Sequence, residues 1–429
     1  METNRKEQWI TFMTTLTKWL FWGTLIGLAV GTTSAGLIFT NDALTNTREA
    51  NGWLIFLLPI GGAVIGFLYR YFGDGSRAGN DLILEYIHDG KNRVPLRMGP
   101  IVFLSTFITN GLGGSTGREG AAIQMAGSIS EAVYRLFRVA EADRRILLIA
   151  GISGGFGSAF GTPIAGVVFG MEVVALGRLR FDAVVPCFMA SLVGHLTATL
   201  WGVQHEHHVI EQLPDYTVWT FTMIVLLSIG FGLISILYCQ IRHGIYHFSK
   251  TYMPNLIVRG FVGGLILIAL VYVVGSRDYL GRGLPMVDQA FEGTVPAFAF
   301  FAKIVFTAVT MGTGFRGGEA IPLFFVGSTL GNALAPLAGF PVSFLAAVGL
   351  IAVFCGASQA PLACFLLSIE LFEGKGTLFF FIACIVSYLC SGHHGIYPTQ
   401  KMYEPKSRLL DLPAGRTISA IEKQKKKLS

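Results

Sequence analysis

Charged residues are scarce in this 429-residue chain: Asp, Glu, Lys and Arg make up 14% of it, whereas apolar residues make up 52%. A soluble domain carries about 25% charged residues, so a soluble hydrophobic core is the disfavoured interpretation. The apolar residues are grouped into long runs, at residues 19–40, 53–72, 181–201, 218–239 and 256–275. A helix needs about 20 such residues to cross a bilayer. We therefore predict an all-α polytopic membrane protein.

The sequence also lacks the patterns of metal and thiol chemistry. Its six cysteines form no CxxC pair and lie in or beside apolar runs, as expected of packing residues. A cluster of His205, Glu206, His207 and His208 follows an apolar run, and we predict a solvated loop there. No metal or cofactor is therefore expected. No nucleophile–His arrangement is present either, so we expect a protein that is not an enzyme.

A cleavable signal peptide is not expected, because residues 1–8 are polar and the first apolar run leads directly into further runs. The net charge of +6 does not indicate nucleic-acid binding, since the basic residues lie between apolar runs and at the ends. Positive residues in short loops favour the cytoplasm. We predict a multi-pass protein of the cell inner membrane or plasma membrane, surrounded by lipid, with both termini cytoplasmic. The terminal basic residues are Arg5, Lys6, Lys423, Lys425, Lys426 and Lys427.

An internal repeat organises the chain. Glu119 lies in Gly-Arg-Glu-Gly-Ala and Glu319 lies in Gly-Gly-Glu-Ala-Ile-Pro, and the two are 200 positions apart. A second pair of blocks starts at Pro163 and Pro361, and each of these prolines precedes a Glu by nine positions. Transporters are commonly built from two such halves, with the binding site at their interface.

The repeat predicts two membrane halves, at residues 19–205 and 216–404. We expect a cytoplasmic N-terminal segment at residues 1–18 and a basic cytoplasmic tail at residues 405–429. The halves themselves contain many Gly clusters within apolar segments, which favours broken helices that line a cavity.

The Gly-rich turns suggest how an anion would be bound. A helix N-terminus presents unpaired N–H groups and a partial positive charge, so it binds anions without a cationic side chain. We predict four such ends, at residues 79–81, 117–121 and 317–322 and at the turn before Tyr397 and Pro398. Asn80 adds a side-chain amide donor.

Glu119 and Glu319 are then candidates for proton transfer. A carboxylate inside a membrane is costly and is a functional hypothesis by default. Beside helix N-termini, the anionic form of Glu119 can occupy an anion site and leave it on protonation. A Glu that only stabilises its own helix is the structural alternative. For Glu172 and Glu370 we favour that kind of structural role, with side chains that face water or cap neighbouring loops.

At these blocks the sequence resembles the CLC family of chloride channels and anion/proton antiporters. Residues 117–121 resemble the family's GREGP block, and residues 317–322 stand where the family has GxFxP. Residues 157–172 are similar to its adjoining small-residue segment, and Tyr397 stands at its pore-lining Tyr. The resemblance covers residues 20–405. It implies an inverted repeat of tilted and broken helices, assembled as a homodimer with one pore per subunit.

Departures from the chloride-transporting pattern resemble the family's bacterial fluoride/proton antiporter branch. Asn80 replaces the anion-contacting Ser, Val173 stands where antiporters carry an inner proton-transferring Glu, and Glu319 adds a carboxylate. The resemblance implies that Glu119 and Glu319 gate the path and transfer protons. The residues implied to bind the anion are Asn80, Gly117, Arg118, Gly120, Ala121, Gly317, Gly318, Ile321 and Tyr397.

The leading hypothesis is a fluoride/proton antiporter that expels fluoride from the cytoplasm. A chloride channel or chloride/proton antiporter of the same family is the first alternative, because Ile321 stands where the fluoride branch often has Thr. Two alternatives come from other classes. One is a membrane-bound enzyme that uses Glu119 and Glu319 as an acid/base pair, and the other is a cation-coupled transporter of an organic substrate.

Overall fold

A computed structural model describes residues 2–73, 75–90, 93–206, 208–406 and 415–421. The first eight helices are Glu2–Ala50 (α1), Leu58–Tyr71 (α2), Asn80–Asp89 (α3), Met98–Leu112 (α4), Glu119–Leu136 (α5), Glu141–Phe160 (α6), Pro163–Val173 (α7) and Val184–Leu200 (α8). The next eight are Val218–Tyr252 (α9), Leu256–Val274 (α10), Leu284–Glu292 (α11), Ala299–Gly312 (α12), Ala320–Ala338 (α13), Val342–Ser358 (α14), Pro361–Leu371 (α15) and Thr377–Cys390 (α16). Short 3₁₀ helices occupy Gly52–Leu57, Ser76–Ala78 and Phe181–Ala183.

The two sets of eight helices repeat each other in order and in kind. Each opens on a long helix, α1 or α9, and contains one short helix, α3 or α11, before the Glu-bearing turn. Helices α7 and α15 are both 11 residues long and both begin with proline, which suits a position where a backbone donor would be unpaired. Residues 201–206 and 208–217, which contain no helix or strand, lie between the two sets, and the predicted boundary between the halves falls in this part of the chain.

Six helical segments of the described chain are long and apolar enough to cross a membrane. Five of them coincide with the predicted apolar runs, and the sixth is α13. Large apolar side chains on these helices point outward, including Leu200, Val218, Val273 and Leu337, each more than four-fifths exposed. Such a surface suits lipid rather than water. The predicted all-α polytopic membrane fold is therefore confirmed.

Small residues bring the helices into close contact. Where α2 crosses α10, a Cβ added to Gly62 would lie 2.2 Å from the carbonyl oxygen of Gly260, and the reverse substitution meets the same obstacle. Backbones approach this closely in membrane proteins only where a small residue stands on each helix. Part of the predicted Gly content therefore serves packing.

A small sheet joins the chain's end to the helical body. It contains Ala175–Leu176 (β1), Lys401–Met402 (β2) and Arg416–Thr417 (β3), with β1 parallel and β3 antiparallel to the central β2. Ile418 and Ile421 pack with the side chains of β1 and β2. The described part of the predicted tail is therefore folded against the body. The tail lysines Lys423, Lys425, Lys426 and Lys427 lie outside the described residues, as does His207. The helix α1 runs through residue 18 without a break.

Candidate anion and proton site

The two Glu-bearing turns meet at a backbone bridge. The Gly117 N–H donates to the Gly318 carbonyl (2.8 Å), and the Gly318 N–H donates to the Gly117 carbonyl (2.7 Å). A Cβ added to Gly318 would lie 2.8 Å from Glu119 Oε2 and 2.8 Å from the Gly120 nitrogen. Only glycine fits there, because both obstacles are close and one is backbone. The bridge thus sets the starts of α5 and α13 side by side.

Glu119 is the first residue of α5, and its side chain is buried, with 1% exposed. Neither of its carboxylate oxygens has a hydrogen-bond partner among the described residues. It borders two cavities, which we name the Asn80 cavity and the Arg118 cavity. The first is lined by Asn80, Asp81, Glu119, Gly120, Arg242, Arg316, Gly317, Glu319 and Tyr397, among others. The second is lined by Arg118, Glu119, Phe160, His205, Glu206, His208 and Ile321, among others. Glu119 therefore stands where a gate between the cavities would be.

The start of α3 faces the same point. Asn80 is its first residue, and the Asn80 Nδ2 atom lies 3.6 Å from where a Cβ on Gly120 would be. The Asn80 Oδ1 atom has no hydrogen-bond partner among the described residues. Asp81, the second residue of α3, accepts a hydrogen bond from Thr399 Oγ1 (2.6 Å). Three helix N-termini, those of α3, α5 and α13, thus converge near one amide donor.

Glu319 is held more firmly than its counterpart. It is the N-cap residue of α13, and its Oε1 atom accepts a hydrogen bond from Arg242 Nη2 (2.8 Å). The Tyr238 hydroxyl donates to its Oε2 atom (3.2 Å). Sequence reasoning missed both partners on α9, because they are about 80 residues from Glu319 and Arg242 lies just past the predicted run at 218–239. An Arg within an apolar helix was the signal that could have found it.

Tyr397 lines the Asn80 cavity. The prediction that a helix begins after Tyr397 is wrong. Residues 397–400 form a turn that leads into β2. The Ser419 N–H donates to the Pro398 carbonyl (3.0 Å), and the Ile418 N–H donates to the Gln400 carbonyl (3.0 Å). The returning tail thus binds this backbone in an extended arrangement. Proline is common in turns as well as at helix starts, and Pro398 lies in a turn.

The other predicted anion-binding residues are divided between the two cavities. Gly120 and Gly317 line the Asn80 cavity, whereas Arg118 and Ile321 line the Arg118 cavity. The bridge residues Gly117 and Gly318 support the turn, and Ala121 is fully buried in the first turn of α5. The structure brings these residues into one region, and their roles stay predictions.

One of our expectations was that Glu172 and Glu370 face water. Glu172 is buried instead, whereas Glu370 is half-buried. Glu172 accepts hydrogen bonds from the N–H groups of Leu362 (3.1 Å) and Ala363 (2.8 Å), at the start of α15. Glu370 accepts them from Ile164 (2.9 Å) and Ala165 (2.7 Å), at the start of α7. Each carboxylate thus caps the helix of the other half. We expected these two residues to have a structural role, and capping is such a role. They cap a helix of the other half and not a neighbouring loop.

An ion-pair network surrounds the Arg118 cavity. Asp42 accepts from Arg118 Nη1 (2.9 Å) and Arg282 Nη2 (2.6 Å), and Arg282 also lies 3.5 Å from Glu206. His208 lies 3.3 Å from Asp288 Oδ1. The residues around Glu206 form a loop, as predicted, and Glu206 is exposed. Side chains of this loop also line the Arg118 cavity. Within the described part of the chain, no group of three His, Cys, Asp or Glu residues is arranged to hold a metal ion.

Comparisons with known proteins point to one family. The profile of the family described as "Voltage gated chloride channel" matches residues 61–392. A Pseudomonas syringae pv. tomato protein named "Chloride/fluoride channel protein" is 41% identical over 415 residues, covering 95% of this chain and 91% of the relative.

Two solved structures are similar to the fold. The structure titled as a CLC-type fluoride/proton antiporter superposes with a TM-score of 0.87 at 30% identity, covering 90% of this chain and 98% of that one. A slow cyanobacterial Cl⁻/H⁺ antiporter gives a TM-score of 0.77 at 21% identity, covering 95% and 97%. At that lower identity the likeness shows the fold alone.

Proposed function

This chain belongs to the voltage-gated chloride channel (CLC) family of anion transporters, and from that premise we propose that it is a fluoride/proton antiporter that expels fluoride from the cytoplasm. The observation that carries the proposal is the Asn80 cavity, which Glu119 and Glu319 both line beside the Asn80 amide. The cavity thus places two acids that can carry a proton beside donors that can bind an anion.

The donors around this cavity suit a small, strongly hydrated anion. Removing water from fluoride costs more than removing it from chloride, and unreplaced hydrogen bonds in a buried site add to that cost. The Asn80 amide supplies two N–H donors where a serine would supply one O–H. The N-termini of α5 and α13 add backbone donors and a partial positive charge.

Glu119 would carry the proton across the gate. Its carboxylate is buried, borders both cavities and has no described hydrogen-bond partner to hold it in place. When ionised it can occupy the anion position at the helix N-termini, and when protonated it can withdraw. Val173, at the end of α7, offers no proton-transferring group. Glu319 would therefore serve the proton route on the Asn80 side.

The same proposal includes the assembly and its setting. We propose a homodimer with one pore per subunit, in the cell inner membrane or plasma membrane, with both termini cytoplasmic. The membrane halves would be residues 19–205 and 216–404. The similarity to CLC-type structures and the lipid-compatible surface support this arrangement.

Flux from proteoliposomes tests the proposal. Vesicles loaded with potassium fluoride or potassium chloride are diluted into anion-poor buffer, and anion efflux and proton uptake are recorded together. We expect fluoride efflux with stoichiometric proton uptake and much slower chloride efflux. Chloride efflux as fast as fluoride efflux would contradict the selectivity, and fluoride efflux without proton uptake would contradict the exchange.

One observation favours the alternative of a chloride channel or chloride/proton antiporter. Ile321 lines the Arg118 cavity with an apolar side chain, so no hydroxyl there helps to replace fluoride's water. Chloride is less strongly hydrated and tolerates apolar contacts better. Rapid chloride efflux in the same assay would favour this alternative, and the proton record would separate a channel from an antiporter.

A further inference from the structure

Arg242 is a largely buried cation in the membrane body. It lies on the long apolar helix α9, four positions after Tyr238, so both side chains reach Glu319 from one face of the helix. The side chains of Arg242 and Glu319 are 19% and 9% exposed. The guanidinium also lines the Asn80 cavity, and its Nε–H is buried without a hydrogen-bond partner among the described residues.

The charges that line this cavity are unbalanced. Asp81, Glu119 and Glu319 are acidic, whereas Arg242 and Arg316 are basic, so the fully ionised lining has net charge −1. An entering anion would be repelled in that state. Protonation of a single carboxylate removes the net negative charge, and protonation of two makes it positive.

The two cations of the cavity differ in how they are engaged. Arg316 Nη2 donates to the Arg77 carbonyl (2.9 Å), and its guanidinium lies over the Tyr69 ring, 4.4 Å from the centroid. A backbone carbonyl and the face of an aromatic ring are not neutralised by a proton, so Arg316 keeps these partners. Arg242 instead donates to a carboxylate, which a proton can neutralise. Arg242 is therefore the cation that protonation would release.

We infer that Arg242 is a further anion-binding residue of the transport cycle: it pairs with Glu319 while that carboxylate is ionised, and it binds the transported anion when Glu319 is protonated. This inference rests on the anion/proton exchange proposed above. A buried cation that loses its partner is strongly unfavourable, so protonation of Glu319 creates a demand for an anion. By linkage, the bound anion raises the proton affinity of Glu319 by the same factor.

The competition explains why a buried Arg does not trap the anion. A guanidinium offers five N–H donors and stays charged, so on its own it would hold an anion too firmly for turnover. When Glu319 loses its proton, it again competes for Arg242 Nη2, and the anion is released. The proton and the anion would thus alternate at one guanidinium.

Other groups that face the pair are accounted for. Tyr238 and Cys239 lie beside it on α9. Tyr397 faces Glu319 from the turn before β2, and Asp81 faces Arg242 from α3. Asp81 is engaged by Thr399, and Glu119 lies across the cavity at the gate. Glu319 is the carboxylate in direct contact with Arg242.

Epistasis separates a residue that binds the anion from one that only positions Glu319. Calorimetric titration with sodium fluoride, and in parallel with sodium chloride, is run on the purified full chain at about pH 5 and about pH 8. Glu319→Gln removes the competing charge, so its anion binding is expected to vary less with pH than that of the wild type. Adding Arg242→Gln to Glu319→Gln is expected to weaken anion binding about tenfold further, because the cation that binds the anion is lost.

Two further variants separate the loss of a direct contact with the anion from the general loss of one positive charge in the cavity. Arg316→Gln in the Glu319→Gln background removes the same charge from the same cavity and is expected to weaken binding by about twofold or less, since Arg316 is engaged elsewhere. Arg242→Lys in that background keeps the charge and is expected to restore most of the affinity. It also serves if the Arg242→Gln variant does not purify as a folded protein.

The outcomes are distinct. Equal anion binding by Glu319→Gln and by Arg242→Gln/Glu319→Gln would overturn the inference, because a mere positioning residue has no effect once Glu319 is neutral. An equal loss with Arg316→Gln would overturn it as well. Failure of the wild type to exchange fluoride for protons in vesicles would instead contradict the proposed function, whatever the titrations show.

Discussion

Glu119 and Glu319 stand on equivalent turns, joined by the bridge between Gly117 and Gly318, yet their carboxylates have opposite surroundings. The Glu119 carboxylate is buried without a described hydrogen-bond partner, whereas that of Glu319 contacts Arg242 and Tyr238. The repeat thus preserves the backbone and changes the side-chain environment. Two side chains of α9 hold the Glu319 carboxylate, whereas no described side chain donates a hydrogen bond to the Glu119 carboxylate.

Glu172 and Glu370 show the opposite behaviour. Each accepts two backbone N–H donors from the helix of the other half, so the symmetry survives in the contacts as well as in the backbone. Where the repeat-related residues stabilise the fold, the halves remain alike. Where they line the Asn80 cavity, the halves differ. Departure from symmetry is therefore a better guide to function than the presence of a buried acid.

The largest expected effect comes from Glu119→Gln, which replaces the proton-binding carboxyl group at the start of α5 with an amide. Proton uptake coupled to anion efflux is expected to fall about 100-fold or more, because the group that carries the proton through the gate is gone. Simultaneous pH and anion recording from proteoliposomes measures it. Unchanged proton coupling would leave Glu119 as a residue that only stabilises the start of α5. Glu370→Gln is the control, because Glu370 is a half-buried, helix-capping acid that lines neither cavity.

The bridge itself is broken by Gly318→Ala. The new Cβ would lie 2.8 Å from both Glu119 Oε2 and the Gly120 nitrogen, so the start of α5 must shift. We expect anion efflux to fall about tenfold or more, since misplacement of reacting groups by about an ångström has effects of this size. Gly230→Ala on α9 is the control, because nothing lies within 4 Å of its added Cβ. Equal activity of the two variants would show that the bridge tolerates a side chain.

The repeat and most residues of the Asn80 cavity could be predicted from the sequence, because each Glu-bearing turn is a local pattern of Gly, Glu and apolar residues. It was insufficient where two distant side chains meet. Arg242 and Glu319 are 77 positions apart, and Asp81 and Thr399 are 318 positions apart, so no periodicity connects them. The resemblance to the family, and not the residue pattern, predicts Tyr397 at the cavity. No helix follows Tyr397, because the backbone of residues 398 and 400 pairs with residues 418 and 419.

The cross-repeat caps make a prediction about stability. Glu172→Ala and Glu370→Ala each remove two hydrogen bonds from helix-start N–H groups. We expect each substitution to lower the free energy of unfolding by about 1–3 kcal/mol, because the donors lose a charged acceptor. Thermal unfolding of the purified protein in detergent measures the two side by side. A loss confined to one of them would show that the halves differ here too.

The smallest expected effect comes from Asn80→Ser, which changes a donor that only the first half contributes to the cavity. Asn80→Ser restores the residue type of chloride-transporting relatives and replaces two amide N–H donors with one hydroxyl at the start of α3. The ratio of fluoride to chloride efflux is expected to fall about three- to tenfold, which corresponds to one hydrogen bond of about 0.5–1.5 kcal/mol. Efflux of both anions from matched vesicles measures the ratio. Asn80→Asp adds a negative charge instead and is expected to slow both anions alike, so it separates donor number from charge. A ratio unchanged by Asn80→Ser would place fluoride selectivity in the backbone of the convergent helix starts, which both halves share, and not in the side chain that only the first half carries.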